Sequence, residues 1–246
     1  MEFKDHFTKQ AESYAKFRPD YPEELFKYLS EISPSNELAW DCATGNGQAA
    51  NGLAKYFNKV IASDASEKQI MNAIKNEKVV YKVFPAEKTE IDSSTVDLIT
   101  VAQALHWFNF EKFYREAKRV LRKNGIITAW MYNLVEVSSE VDFIIKKFDG
   151  EILKNYWPPE RQLFYEEYKT IPFPFERIEA PEFKMSAYWS LGHLFGFLST
   201  WSAVQKFKDE EGSDPLNFIE KDLKKAWGNE KFRNVFWTLI IKIGRA

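Results

Sequence analysis

Four short stretches of this sequence carry side chains able to do chemistry, and each follows a short apolar run. Asp41-Cys42-Ala43-Thr44-Gly45-Asn46-Gly47 follows Leu38-Ala39-Trp40, and Asp64-Ala65 follows Val60-Ile61-Ala62. Pro85-Ala86-Glu87 follows Val79 to Phe84, and Gln103-Ala104-Leu105-His106-Trp107 follows Val96 to Val101. Glycine is scarce, 10 in 246 residues, with none before position 45; Gly45, Gly47 and Gly52 then come close together. Such clustering marks backbone that a side chain would obstruct. Gly45-x-Gly47-x-x-Ala50 followed by Asp64 fits a loop packed against a nucleotide, with a carboxylate able to accept from two ribose hydroxyls. His106 brings an imidazole that can act as a general base near neutral pH.

These groups need a frame, and the apolar runs supply it. The runs, with a fifth from Ile126 to Met131, are short, nearly continuous and rich in Val and Ile, as strands buried on both faces are. Helical patterns lie between them at 47–57, 66–76 and 110–122. Ser66-Glu67-Lys68-Gln69 reads as a capping box, Asn109 as an N-cap, and Lys123-Asn124-Gly125 as a stop signal. Alternation at this spacing predicts an α/β fold with a doubly wound, mostly parallel sheet. In such sheets ligands bind beyond the carboxyl ends of the strands, where all four stretches fall.

Around this core the expected parts are a helical lid over residues 1–33 and a core over 34–133. An inserted, mostly helical cap follows over 134–172, interrupted at Pro158-Pro159, and residues 173–246 complete a single domain. Phe7, Ala11 and Tyr14 fall at helical spacing, and a second helix is expected from Pro22 to Ile32. The last part reads as strand at 173–186, helix near 190–207 and 215–227, and strand at 234–243.

Composition removes several classes of function. Lys plus Arg (34) nearly balances Asp plus Glu (36), a net charge of −2, which argues against a dedicated nucleic-acid or anionic-membrane binder. No apolar run approaches the roughly 20 residues of a membrane span, and the first residues lack the apolar centre of a secretory signal. One cysteine and three histidines give no disulfide framework and no ligand set for a metal. A cytoplasmic location is expected. The 21 Phe, 11 Tyr and 8 Trp suit an apolar pocket for a small molecule.

Asp41 bears on the choice of ligand. A carboxylate at the mouth of the glycine loop would repel a pyrophosphate and favour an ammonium or sulfonium. S-adenosylmethionine carries both cations and no phosphate. Over residues 38–131 the chain resembles the class I S-adenosylmethionine-dependent methyltransferases. Asp41-x-Ala43-Thr44-Gly45-Asn46-Gly47 is similar to their first motif, with Ala43 in place of a glycine. Asp64 is similar to their ribose-binding acid, and Ala86-Glu87 to their adenine-side motif, with Pro85 where an acid often stands. Arg119-Val120-Leu121-Arg122-Lys123-Asn124-Gly125 is similar to their R-V-L-K-P-G-G turn.

A narrower resemblance joins Tyr14-x-x-x-Arg18-Pro19-x-Tyr21-Pro22 to Gln103-Ala104-Leu105-His106-Trp107-Phe108. It is to the small-molecule branch that includes trans-aconitate-type carboxyl methyltransferases. Phe197-Leu198-Ser199-Thr200-Trp201-Ser202 and Trp227-Gly228 fit the same group. The resemblance implies a Rossmann-like, seven-stranded sheet. It implies a cofactor site of Tyr14, Arg18, Asp41, Ala43, Gly45, Gly47, Asp64, Ala65, Ala86, Glu87 and Gln103. S-adenosylhomocysteine would be the product.

Most of these residues also have a plain structural reading. Gly45 and Gly47 can be only a tight turn, Asp64 a helix cap, Arg18 a solvated charge, Tyr14 a core residue and Gln103 a solvated strand end. His106 can bond a backbone carbonyl as readily as act as a base. Trp107, Tyr132, Trp157 and Trp201 are candidates for the substrate pocket and equally for the core. The reading that fits the set is methyl transfer to an oxygen, a carboxylate among the options, or to a nitrogen of a small, partly apolar molecule. A nicotinamide-dependent oxidoreductase and a non-catalytic cofactor-binding member are the alternatives.

Overall fold

The computed structural model describes residues 17–246. The Val- and Ile-rich runs form β1 (Leu38–Cys42), β2 (Lys59–Asp64), β3 (Val79–Val83), β4 (Val96–Ala102) and β5 (Leu121–Tyr132), paired in parallel. Later come β6 (Glu176–Ile178), β7 (Lys184–Trp189) and β8 (Arg233–Arg245). β8 runs antiparallel to β5, and β6 and β7 pair antiparallel with successive parts of β8. The order is β3-β2-β1-β4-β5-β8-β6, with β7 also on β8. Because β6 and β7 share the edge of β8 opposite β5, the sheet is seven positions wide. The expected doubly wound, mostly parallel α/β sheet is therefore present.

Successive residues of each strand face opposite sides and build two cores. Ala39, Leu98 and Ile126 pack with α1 (Glu23–Ile32) and α2 (Gln48–Leu53). Trp40, Ile99 and Ile127 pack on the other face with α4 (Phe110–Val120), which follows the short α3 (Glu67–Met71). Asn109 caps α4 as expected, accepting the Lys112 N–H at 3.1 Å. The segment between β5 and β6 holds α5 (Ser139–Lys147), a π-helical turn at Phe148–Ile152 and α6 (Arg161–Tyr165). α7 (Leu191–Ser199), α8 (Ser202–Glu211) and α9 (Glu220–Trp227) precede β8. Among the described residues, no helix is long and apolar enough to cross a membrane.

Several expected bounds shift, each for a local reason. α3 stops at Met71, not near 76, because the Ile74 N–H leaves the helix to bond the Asn46 carbonyl at 3.0 Å. Only half of the capping box forms. The Ser66 hydroxyl accepts the Gln69 N–H at 3.4 Å, but the Ser66 N–H goes to Asp64 at 2.9 Å. Lys123-Asn124-Gly125 does not end a helix: α4 already stops at Val120, and Asn124, with φ of 64°, sits in an irregular start of β5 where the register with β4 shifts. The single strand expected at 173–186 is two short ones, β6 and β7. Pro181 falls between them and has no N–H for a ladder. The helix expected near 190–207 splits at Thr200 and Trp201.

Candidate active site

Past the end of β1 the backbone turns through left-handed conformations at Ala43 (φ 56°), Gly45 (φ 56°) and Gly47 (φ 85°). Thr44 ties this loop to β2, its N–H meeting the Ser63 carbonyl at 2.8 Å. Asp41 lies beneath the loop, not at its mouth as expected. It is fully buried, and its two oxygens accept the Thr44 and Thr100 hydroxyls. Burial pushes its pKa up from 3.8 to about 6, against the opposing pull of those hydroxyls. Any pull of Asp41 on a ligand cation therefore acts through protein of low dielectric.

Asp64 closes the end of β2, where it both faces the loop and caps. One oxygen accepts the Gly45 N–H at 2.9 Å and the other the Ser66 N–H at 2.9 Å. Ala65 beside it is exposed. Beyond β3, Ala86 is buried, while the Glu87 carboxylate accepts the Asn109 N–H at 2.9 Å, so it helps start α4. Among the described residues the loop leaves room for a cofactor: a Cβ at Gly45 would meet none of their atoms within 4 Å, whereas one at Gly47 would come within 2.2 Å of the Tyr81 hydroxyl. The loop's chemistry fits S-adenosylmethionine too: Asp64 is a carboxylate that can accept from hydroxyls, Asp41 adds a negative charge beneath, and residues 41–47 include no Lys or Arg to hold a pyrophosphate.

Next to the loop, a cavity of about 110 Å³ opens between the ends of β4 and β5 and the segment after β5. Arg18, Gln103, His106, Trp107, Tyr132, Trp157 and Trp201 all line it, together with Arg161, Phe164 and Phe197. Arg18 donates to the Tyr132 hydroxyl at 2.7 Å and lies 5.0 Å from the Phe197 ring centroid. Gln48 holds the adjoining chain against α2, donating to the Pro19 carbonyl at 2.8 Å and to Asp20 at 2.9 Å. Gln103 takes φ of 57°, which turns its side chain off the strand end, and its Nε2 is buried with no hydrogen-bond partner among the described residues. Trp201 and Tyr132 line the cavity and belong to the core as well.

Arg161 is held by aromatic rings and by one acid. Its guanidinium carbon lies 3.8 Å from the Phe164 centroid and 4.0 Å from that of Trp157. It pairs with buried Asp149 at 3.0 Å, and the Tyr165 hydroxyl donates to the other Asp149 oxygen at 2.8 Å. His106 sits in the 3-10 turn Leu105–Trp107, with Nδ1 2.6 Å from the Tyr168 hydroxyl oxygen. Burial, and then Arg161, lower its pKa from 6.5 to about 3. The imidazole is neutral at pH 7, and at that value it holds a proton too weakly for the expected role of a base poised near neutrality.

The predicted residues thus form two adjacent groups on one sheet edge. Asp41, Ala43, Gly45, Gly47, Asp64, Ala65, Ala86 and Glu87 surround the loop, and the others line the cavity. Tyr14 lies outside the described residues. Sequence reasoning missed Arg161, Tyr168 and Thr100. Thr100 sits inside β4 and carries no motif, while the first two lie in the segment after β5, where only the density of aromatics around Arg161 signalled a site.

Comparison with known proteins agrees with this geometry. Residues 40–129 match the family described as a methyltransferase domain. A Dictyostelium discoideum protein assigned as a methyltransferase is 39% identical over 229 residues, 92% of this chain and 87% of that protein. A Saccharomyces cerevisiae protein assigned as an S-adenosylmethionine-dependent methyltransferase is 28% identical over 138 residues, 52% of this chain and 47% of the other. A solved structure from Anaeromyxobacter dehalogenans, designated a type II methyltransferase, shares 40% identity at a TM-score of 0.87, over 93% of this chain and 98% of that one. The nicotinamide alternative gives way to these matches. With a glycine loop, an acid at the end of β2 and relatives spanning nearly its whole length, the chain belongs to the class I S-adenosylmethionine-dependent methyltransferases.

Proposed function

We propose that the protein methylates a small, partly apolar acceptor held in the aromatic cavity, and that the accepting atom is a carboxylate oxygen. The observation that carries this reading is the polarity of the lining. Two arginines, Arg18 and Arg161, face the cavity with Gln103 Nε2, a donor without a partner among the described residues, and among those residues no Asp or Glu lines it. A buried donor without a partner costs stability unless a ligand supplies an acceptor. Asp149 offsets the charge of Arg161 yet leaves its Nε, also buried, without a hydrogen-bond partner among the described residues.

Bound at the loop, S-adenosylmethionine supplies an electrophilic methyl group. The protein's work is alignment and exclusion of water, since a carboxylate needs no base. Alignment alone can supply on the order of 7–11 kcal/mol in the best cases. A division of labour for the chain belongs to the same proposal, and the lining supports its cap. In it residues 34–133 hold the cofactor, residues 134–172 cap the acceptor through Trp157, Arg161 and Phe164, and residues 173–246 complete the sheet, while the expected lid over 1–33 is represented at the cavity by Arg18. A cytoplasmic setting and the likeness to trans-aconitate-type enzymes belong to the same proposal.

The test is methyl transfer from isotopically labelled S-adenosylmethionine to a panel of small carboxylic acids, phenols and amines. A methyl ester, cleaved by dilute alkali, is the expected product. An alkali-stable product formed only from amines or phenols would overturn the carboxylate assignment.

A further inference from the structure

We propose that Tyr168 is a positioning residue that fixes the proton of His106 on Nε2, so that His106 offers the acceptor a hydrogen-bond donor and not a base. The inference rests on reading the cavity as the acceptor site. Tyr168 is fully buried in the turn after α6, with φ of 57°. Its hydroxyl oxygen lies 2.6 Å from His106 Nδ1, and no other side chain or carbonyl accepts from it among the described residues.

The phenol has one hydrogen and the neutral imidazole one N–H, so two arrangements suit the distance. If Nδ1–H donated, the hydroxyl hydrogen would sit in the core with no acceptor. If the hydroxyl donates, Nδ1 is satisfied and no buried hydrogen is orphaned, so the imidazole proton resides on Nε2. Burial pushes the Tyr168 phenol far above its ordinary range, which keeps that hydrogen in place. Arg161, with Asp149 on its ion-pair side, is the charged group that acts on the imidazole, and it disfavours a second proton. His106 lines the cavity, and Nε2 is its ring nitrogen not engaged by Tyr168.

An Nε2–H toward the acceptor orients an oxygen but cannot take a proton from it. The site therefore selects acceptors whose reacting lone pair is already free at the working pH, as in a carboxylate. Methyl transfer to such an oxygen moves no proton, so a base is not required.

The test needs no knowledge of the acceptor. The full-length protein, labelled with ¹⁵N and saturated with S-adenosylhomocysteine, is observed through long-range ¹H–¹⁵N spectra of its 3 histidines, with His106→Gln identifying the signals. The expected result is a His106 proton on Nε2 alone between about pH 5 and 8. In Tyr168→Phe, loss of the donor to Nδ1 should give a mixture of tautomers. A proton on Nδ1 in the wild type, a second protonation within that range, or an unchanged tautomer in a folded Tyr168→Phe would overturn the proposal. Should that variant not fold, a slowly exchanging Tyr168 hydroxyl proton bonded to Nδ1 in the wild type supports it, and its absence refutes it. Calorimetry with S-adenosylhomocysteine on the same sample separates the failures. Binding with the wrong tautomer sinks this inference, whereas no binding sinks the reading of the site. An alkali-stable product from an amine beside an Nε2–H tautomer sinks only the carboxylate assignment, whereas one from a phenol sinks this inference as well.

Discussion

Gly45 donates its backbone N–H to the Asp64 carboxylate at 2.9 Å, which joins the glycine loop after β1 to the end of β2. The other oxygen of Asp64 takes the Ser66 N–H that opens α3. One side chain thus shapes two turns on the sheet edge, and we propose it also as the acid that binds the ribose. These roles can be separated by experiment.

Asp64→Ala should weaken S-adenosylhomocysteine binding by about 1.5–3 kcal/mol, the worth of charge-assisted bonds to hydroxyls. An analogue lacking both ribose hydroxyls should lose less. Calorimetry on both ligands decides: equal losses would mean that the substitution acts through the misplaced loop, and Asp64 would leave the ribose site.

The loop glycines divide in the same way. A side chain at Gly45 would enter open space, at a backbone angle that costs an ordinary residue about 1–2 kcal/mol. Gly45→Val should therefore fold and fail to bind S-adenosylhomocysteine. Gly47→Ala should instead lower the melting temperature, because its Cβ would displace the Tyr81 hydroxyl from the Ile74 carbonyl that it meets at 2.6 Å. Normal binding by Gly45→Val would reduce the loop to a turn.

How far the sequence reaches can be judged from these residues. β1, β4 and β5 were legible because a strand buried on both faces is an unbroken apolar run, and the runs end where the polar groups begin. The joining of Gln103, His106, Trp157 and Trp201 around one cavity was legible only as a list of candidates, since nothing in their spacing brings the residues after β4 to those after β5. The depth of Asp41 was not legible. Its burial depends on Thr100, which lies 59 positions away and meets it only once β1 and β4 are neighbours. Tyr168 was invisible for a similar reason: its partner His106 is 62 positions away.

Asp41 yields a prediction whose sign follows from its depth. Its pKa rises from 3.8 to about 6 on folding, so between those values the folded protein keeps a proton that the unfolded chain has released. The group's contribution to stability is complete below the unfolded value and is lost as pH rises through the folded one, a change of about 3 kcal/mol. Asp41→Asn resembles the neutral acid in shape and keeps a carbonyl acceptor, with two N–H donors in place of one O–H, and it does not titrate. Near pH 4 the variant and the wild type should have similar urea midpoints. By pH 7 the variant should be the more stable, with the gap opening between about pH 4 and 6. S-adenosylhomocysteine should narrow that gap, because its ammonium favours the ionised carboxylate and so binds the wild type better. A stability difference that stays constant from about pH 4 to 7 would show that Asp41 is ionised at no cost beneath the loop.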